Sequence, residues 1–291
     1  MSGPDPLFAL KNNFYLGAYQ AAINESNVGG LTDAAIIERD LLVYRSYVAL
    51  GSYQLVVDEI SSSAPTALQA VKLLALYLSG GDKKGTALTN IKEWLADSAL
   101  ASNPTLLLVA GTIYAHEGMY NDALKLTHAG GTLDLCALNV QIYLKMHRTD
   151  YAEKQLKIMQ QIDEDHTITQ LANAWLNVSV GGAKIQEAFY IFQELCEKYV
   201  WTVPLMNGSA VCQMHMGHFD EAETLLLDAL SKDSKDPETL ANLIVASLHL
   251  GKPTARYLSQ LKVAHPDHPL VERATSGEVA FERAIQPFER S

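Results

Sequence analysis

The apolar positions of this chain fall into blocks that recur. Leu16-Gly17-Ala18-Tyr19-Gln20-Ala21-Ala22 and Leu50-Gly51-Ser52-Tyr53-Gln54-Leu55-Val56 carry similar orders of apolar, small and polar residues, with their glycines and tyrosines 34 residues apart. Gly118-Met119-Tyr120-Asn121-Asp122-Ala123 and Gly217-His218-Phe219-Asp220-Glu221-Ala222 have the same form, and Gly251 follows Gly217 by 34 residues. Most blocks read as a turn glycine, an aromatic two residues on, and a small residue opening a second helix. Extending the small position gives Ala22, Val56, Ala87, Ala123, Ala152, Ala188, Ala222 and Ala255, with successive gaps of 34, 31, 36, 29, 36, 34 and 33. Asn103-Pro104 and Asp236-Pro237 each place an N-cap acceptor before a proline at the first helical position. Pro65 and Pro204 stand near two further helix starts, and double glycines at 29–30, 80–81, 130–131 and 181–182 punctuate between helices. No alternating run bounded by a hairpin turn reads as a strand.

A 34-residue period is that of the tetratricopeptide repeat. Leu107-x-x-Ala110-Gly111-x-x-Tyr114 has the form of its first-helix pattern, W-x-x-L-G-x-x-Y, with smaller residues. Gly111 would let the second helix come close, Tyr114 would fill the space beside it, and Gly118 would take the left-handed C-cap. The predicted fold is all-α: a right-handed superhelical solenoid of about eight tetratricopeptide-like helix–turn–helix repeats. It is expected over residues 1–265, with a C-terminal capping helix and tail over 266–291. The third and fifth repeats depart most from the period. In the fifth, His147 stands where the turn glycine belongs, so irregular helix lengths are expected there.

Composition narrows the function. Of 291 residues, 48% are hydrophobic and 19% charged, which suits a packed core rather than disorder. The net charge of −11, with 22 basic residues scattered among 33 acidic ones, argues against nucleic acid as a partner and against direct docking on an anionic membrane. Cys136, Cys196 and Cys212 are too few and too irregularly spaced for a disulfide framework and read as buried thiols. The N-terminus has no signal-peptide pattern, and the apolar run Leu106–Ala115 is too short to span a bilayer, so a cytosolic protein is expected.

Candidate chemistry is thin. Cys212, His215 and His218 have a spacing that suggests zinc, but on a helix they do not converge and a fourth ligand is missing. Gly80–Thr86 lacks the Gly-Lys-Ser/Thr of a phosphate loop and reads as a solvated loop. Asp163-Glu164-Asp165-His166 lacks the spacing of a calcium loop and reads as an acidic turn. No nucleophile, base and orienting group can be assembled. No catalytic residue, metal or cofactor is therefore expected, and the chain reads as a binding protein.

The resemblance goes beyond the repeat. Phe8–Glu25, with Lys11, Asn12, Asn13, Phe14 and Tyr15 before Gly17, and Glu38–Tyr47 are similar to the opening of the coatomer epsilon subunit family. Asp163–Asp165, Thr169–Ala172, Ala174-Trp175, Gly181-Gly182 and Ala188–Glu194 resemble its middle, and Asp233-Ser234, Pro237–Leu240, Asn242–Val245, Leu250–Pro253 and Arg256–Leu261 its last repeats. Membership would imply a non-catalytic subunit of the COPI coat, acting in Golgi-to-ER and intra-Golgi transport. It would be cytoplasmic and reach Golgi membrane only peripherally, through the coat. The family's repeats curl around a projecting segment of the C-terminal domain of the alpha subunit, and the rest of the coat would be met indirectly. Curved repeat arrays line their concave face with first helices. Counting within the repeat gives the groove candidates Leu7, Lys11 and Phe14; Leu41, Arg45 and Val48; Leu108 and Thr112; Asn207, Val211 and Met214; and Ala241 and Val245. The set is mostly apolar with two cations, which suits a permanent partner. The alternative, a chaperone cofactor or adaptor clamping an acidic tail, would need several converging cations.

Overall fold

The computed structural model describes residues 5–289, with side chains through Gln286. Among them are seventeen α-helices and no strand. Sixteen form eight successive pairs. The first four are α1 (Phe8–Tyr15) with α2 (Tyr19–Asn24), α3 (Asp33–Ala49) with α4 (Tyr53–Glu59), α5 (Thr66–Leu78) with α6 (Gly81–Ala96), and α7 (Pro104–His116) with α8 (Tyr120–Thr127). The next four are α9 (Leu133–Lys145) with α10 (Thr149–Asp163), α11 (Thr167–Val180) with α12 (Lys184–Lys198), α13 (Val203–His215) with α14 (Phe219–Lys232), and α15 (Pro237–His249) with α16 (Ala255–Ala264). A longer helix, α17 (Pro269–Glu289), ends the described chain. The chain divides into two compact units, Met1–Gly181 and Gly182–Ser291.

Local chemistry sets the helix ends. The Asn103 side chain accepts from the Thr105 and Leu106 amides, and the Asp236 carboxylate from the Thr239 amide, each ahead of a proline whose missing N–H costs nothing there. The turn between paired helices runs through a left-handed residue. Gly118 takes φ +72°, and its amide caps the Ala115 carbonyl. In the fifth repeat His147 takes φ +57° in the same place, the one non-glycine residue with positive φ among those described.

Small residues let the pairs close. Seven of the eight anchors, from Ala22 to Ala222, have no exposed surface. The eighth does not follow. Ala255 is exposed at the first position of α16, and the deeper Leu261 is the fully buried residue of that helix. Gly111 is buried, and a Cβ built on it would lie 2.6 Å from Thr127 Cγ2 and 3.0 Å from Leu138 Cδ2. In the second unit Gly208 does the same for Phe192, whose ring would be 2.6 Å from an added Cβ.

Three expectations change. The third and fifth repeats have full-length helices; the short ones are α1, of eight residues, and the second helices α2, α4 and α8, of six, seven and eight. The gap of 29 residues after Ala123 follows from α8 ending at Thr127, only four residues on. Gly81–Thr86 is not a loop but the opening of α6, with Gly80 and Gly81 both in the left-handed region. Among the described side chains, the C-terminal helix packs on the last repeat with its start. Val271 is buried and Leu270 packs with Leu240, Ala241 and Leu261, whereas Val279 and Phe281 are exposed. Residues 290–291 lie outside the described part of the chain.

A first-helix face as the candidate binding site

The turn residue gives a common ruler. Ten, six and three residues before it lie Leu7, Lys11 and Phe14 in the first repeat, Leu41, Arg45 and Val48 in the second, and Leu108, Thr112 and Ala115 in the fourth. The same count gives Asn207, Val211 and Met214 in the seventh repeat and Ala241, Val245 and Leu248 in the eighth. The three positions differ in burial. At the first, Leu7, Asn207 and Ala241 are buried, while Leu41 and Leu108 are half-buried. At the middle position Lys11, Arg45, Thr112 and Val211 are half-buried and Val245 is exposed. At the third, Phe14 and Met214 are half-buried, Leu248 is exposed, and Val48 is buried against Val56 and Val71.

Four sequence candidates therefore sit in the body between helices: Leu7, Val48, Asn207 and Ala241. Asn207 has a structural task. Its amide donates to the Val203 carbonyl (3.0 Å) and the Thr239 hydroxyl (2.7 Å), and its oxygen accepts from Asn242 (2.9 Å), tying α13 to α15. The ruler also finds accessible residues outside the groove set expected from sequence: Leu74, Gln141, Trp175 and Leu248. The first three belong to the third, fifth and sixth repeats. Counting six back from Gly80, His147 and Gly181 finds them.

In the first unit the first helices turn toward one another. Helix α1 packs against α11, and Asn12 and Thr167 meet in a buried hydrogen bond of 2.5 Å. The Tyr15 hydroxyl donates to Asp134 on α9 (2.8 Å), and Arg45 on α3 pairs with the same carboxylate (2.9 Å) while lying 4.6 Å over the Phe14 ring. Burial, then the Asp134 charge, pushes the Tyr15 hydroxyl pKa up, so it stays a proton donor. Side chains 89 and 119 residues apart thus close this unit on its first-helix side.

These contacts neutralise both candidate cations. Arg45 belongs to Asp134, and Lys11 lies 2.9 Å from Asp5 and 2.8 Å from Glu38. Burial works against the Lys11 charge, but the bonds to the two carboxylates outweigh it and raise the pKa. In the second unit the face is apolar: α13 and α15 pack together, Val211 and Met214 hold the same repeat positions as Val245 and Leu248, and the last two are 37% and 62% exposed.

No group of three or more His, Cys, Asp or Glu that could hold a metal is found among the described residues. Cys212 is fully buried, and burial pushes its thiol up to about 12; His218 bonds Gln213 instead.

The sequence matches the coatomer epsilon subunit profile over residues 3–289. The chain belongs to the coatomer epsilon subunit family. It is 70% identical to coatomer subunit epsilon-1 of Oryza sativa subsp. japonica over 98% of this chain and 99% of that one. Coatomer subunit epsilon-1 of Arabidopsis thaliana is 64% identical over 99% of each chain. A tetratricopeptide repeat protein from Parabacteroides merdae superposes with a TM-score of 0.61 at 15% identity, over 88% of this chain and 96% of that one, a likeness of fold. An epsilon subunit is a structural part of a coat rather than an enzyme.

Proposed function

We propose that the chain serves the COPI coat by holding a projecting segment of the C-terminal domain of the alpha subunit on its first-helix face. It would work on the cytoplasmic side of Golgi membranes, in retrograde Golgi-to-ER and intra-Golgi transport, meeting the membrane only through the assembled coat. The observation that carries the reading is the apolar face of α13 and α15. Val245 and Leu248 stand exposed at positions where the repeat presents side chains outward, and exposed apolar neighbours mark interaction surfaces. The rival reading, a clamp for an acidic tail, needs free converging cations, and Lys11 and Arg45 are already paired within the chain.

Val245→Asp with Leu248→Asp places two charges on this face without entering the core. Helical content and melting should stay within a few degrees of wild type, and capture of the purified C-terminal domain of the alpha subunit should be lost. Normal capture by the folded variant would move the partner off this face. Arg45→Glu with Val48→Asp would be a poor choice. Val48 is core, and Arg45 holds the closure of the first unit, so loss of binding could not be told from unfolding.

A further inference from the structure

The first helices of the first unit carry five Lys or Arg residues. Four are already bonded within the chain: Lys11 to Asp5 and Glu38, Arg39 to Asp40, Arg45 to Asp134, and Lys72 to the Ile60 carbonyl at 2.7 Å. Lys145, in the last turn of α9, has no hydrogen bond, ion pair or ring contact among the described residues. Beside it lies a pocket of about 210 Å³ between α7 and α9. Leu138, Gln141, Ile142 and Lys145 line it at i, i+3, i+4 and i+7, one face of α9, and Thr112 and His116 line it from α7.

The donors in this pocket are unevenly committed. The Thr112 hydroxyl already donates to the Leu108 carbonyl at 2.8 Å. The Gln141 side chain, like Lys145, has no hydrogen bond among the described residues. The nearby acid, Glu117, is held by Lys84 at 2.7 Å and by the Tyr77 hydroxyl, so its charge is compensated. Burial and then the Lys145 charge keep His116 below its usual pKa, so near neutral pH it adds no cation. The charge facing the pocket is therefore that of Lys145.

While solvated, an unpaired lysine costs nothing. A segment lying over Gln141 and Thr112 would strip that water, and a desolvated ammonium without a counter-charge is expensive. A partner that covers this face must bring an anion or lose affinity. We propose that the α7–α9 pocket receives one Asp or Glu side chain of the enclosed partner segment, its carboxylate bound by Lys145 and Gln141 and its methylenes set against Leu138 and Ile142. This single polar contact fixes the register of a segment otherwise held by apolar surface. The inference rests on the reading that the first-helix face holds the alpha subunit.

The test is calorimetric titration of the C-terminal domain of the alpha subunit into the full chain. Lys145→Glu should weaken binding about a hundredfold and Lys145→Met about tenfold, since Met leaves the partner's carboxylate unpaired. Lys92→Glu, which makes the same charge change at an exposed second-helix position with no ion pair among the described residues, should stay within twofold. Carbodiimide treatment of the complex should join Lys145 to an Asp or Glu of the partner. Binding by Lys145→Glu within twofold of wild type overturns the proposal. So does tighter binding by Lys145→Met, which would mean an apolar occupant, or a Lys145 crosslink found only within the chain. If wild type itself does not bind the domain, the partner assignment falls, and the proposed occupant with it.

Discussion

Gly111→Ala is the sharpest probe of how the repeats close. Alanine would gain about 1 kcal/mol over glycine from helix propensity alone. Against this, the added Cβ would stand 2.6 Å from Thr127 Cγ2 and 3.0 Å from Leu138 Cδ2, inside any ordinary carbon contact. Leu138 can turn its far end aside, but Thr127 is fixed. Its hydroxyl shares one proton between the Ala123 carbonyl at 2.9 Å and Asn139 Oδ1 at 2.5 Å, and its own carbonyl accepts from Asn139 at 2.9 Å. Both residues are fully buried, so rotating Thr127 leaves a polar group without a partner, at about 1–3 kcal/mol, and overpacking adds about 1–3 kcal/mol. With helix propensity subtracted, the expected loss is about 3 kcal/mol, and more for Gly111→Val. Urea unfolding of the full chain, read by circular dichroism, measures it. Thr127→Ser supplies the check. It removes the clashing methyl and keeps the hydroxyl, so Gly111→Ala with Thr127→Ser should be more stable than the sum of the singles by at least about 1 kcal/mol. Gly111→Ala as stable as wild type, or an additive double variant, would refute the close contact.

Further outcomes follow from the same geometry. Gly81→Ala meets nothing within 4 Å but must hold φ +57°, so it should cost about 1 kcal/mol through backbone strain alone, and no second-site substitution should rescue it as Thr127→Ser rescues Gly111→Ala. At the matching turn His147→Gly should raise the melting temperature slightly and His147→Val lower it; the reverse order would mean that the His147 side chain, not its backbone, sets the turn. Asp134→Ala takes the partner from Arg45 and Tyr15 together and should cost about 1–3 kcal/mol, seen first as faster amide hydrogen exchange in α1. Burial pushes the Cys196 and Cys212 thiols up to about 12, which lowers their thiolate fraction in mildly alkaline buffer. Native protein should therefore react slowly with a thiol reagent there, and rapidly once unfolded.

The repeat was legible because each of its parts is local. A turn that needs a left-handed residue, an N-cap before a proline and a small residue opening the second helix are all fixed by neighbours within a few positions. Gly118, Asn103-Pro104 and Ala123 could therefore be placed from sequence, and even His147 was found by its position in the count. The inward row was half legible for the same reason. The ruler from the turn glycine gives a residue's direction on its helix, and Arg45 and Val245 do keep accessible surface at that position. It does not say how close the neighbouring helix comes. Val48 and Asn207 fell to packing against α4, α5 and α15, which no local pattern records. The sequence also could not show which cations remain free. Arg45 and Asp134 are 89 residues apart and Asn12 and Thr167 are 155 apart, and such pairs meet only where the first unit closes on itself. That closure pairs Arg45, whereas Lys145 has no ion pair among the described residues. Local periodicity determined the elements and their faces; the packing of helices distant in sequence decided which side chains on those faces are still available to a partner.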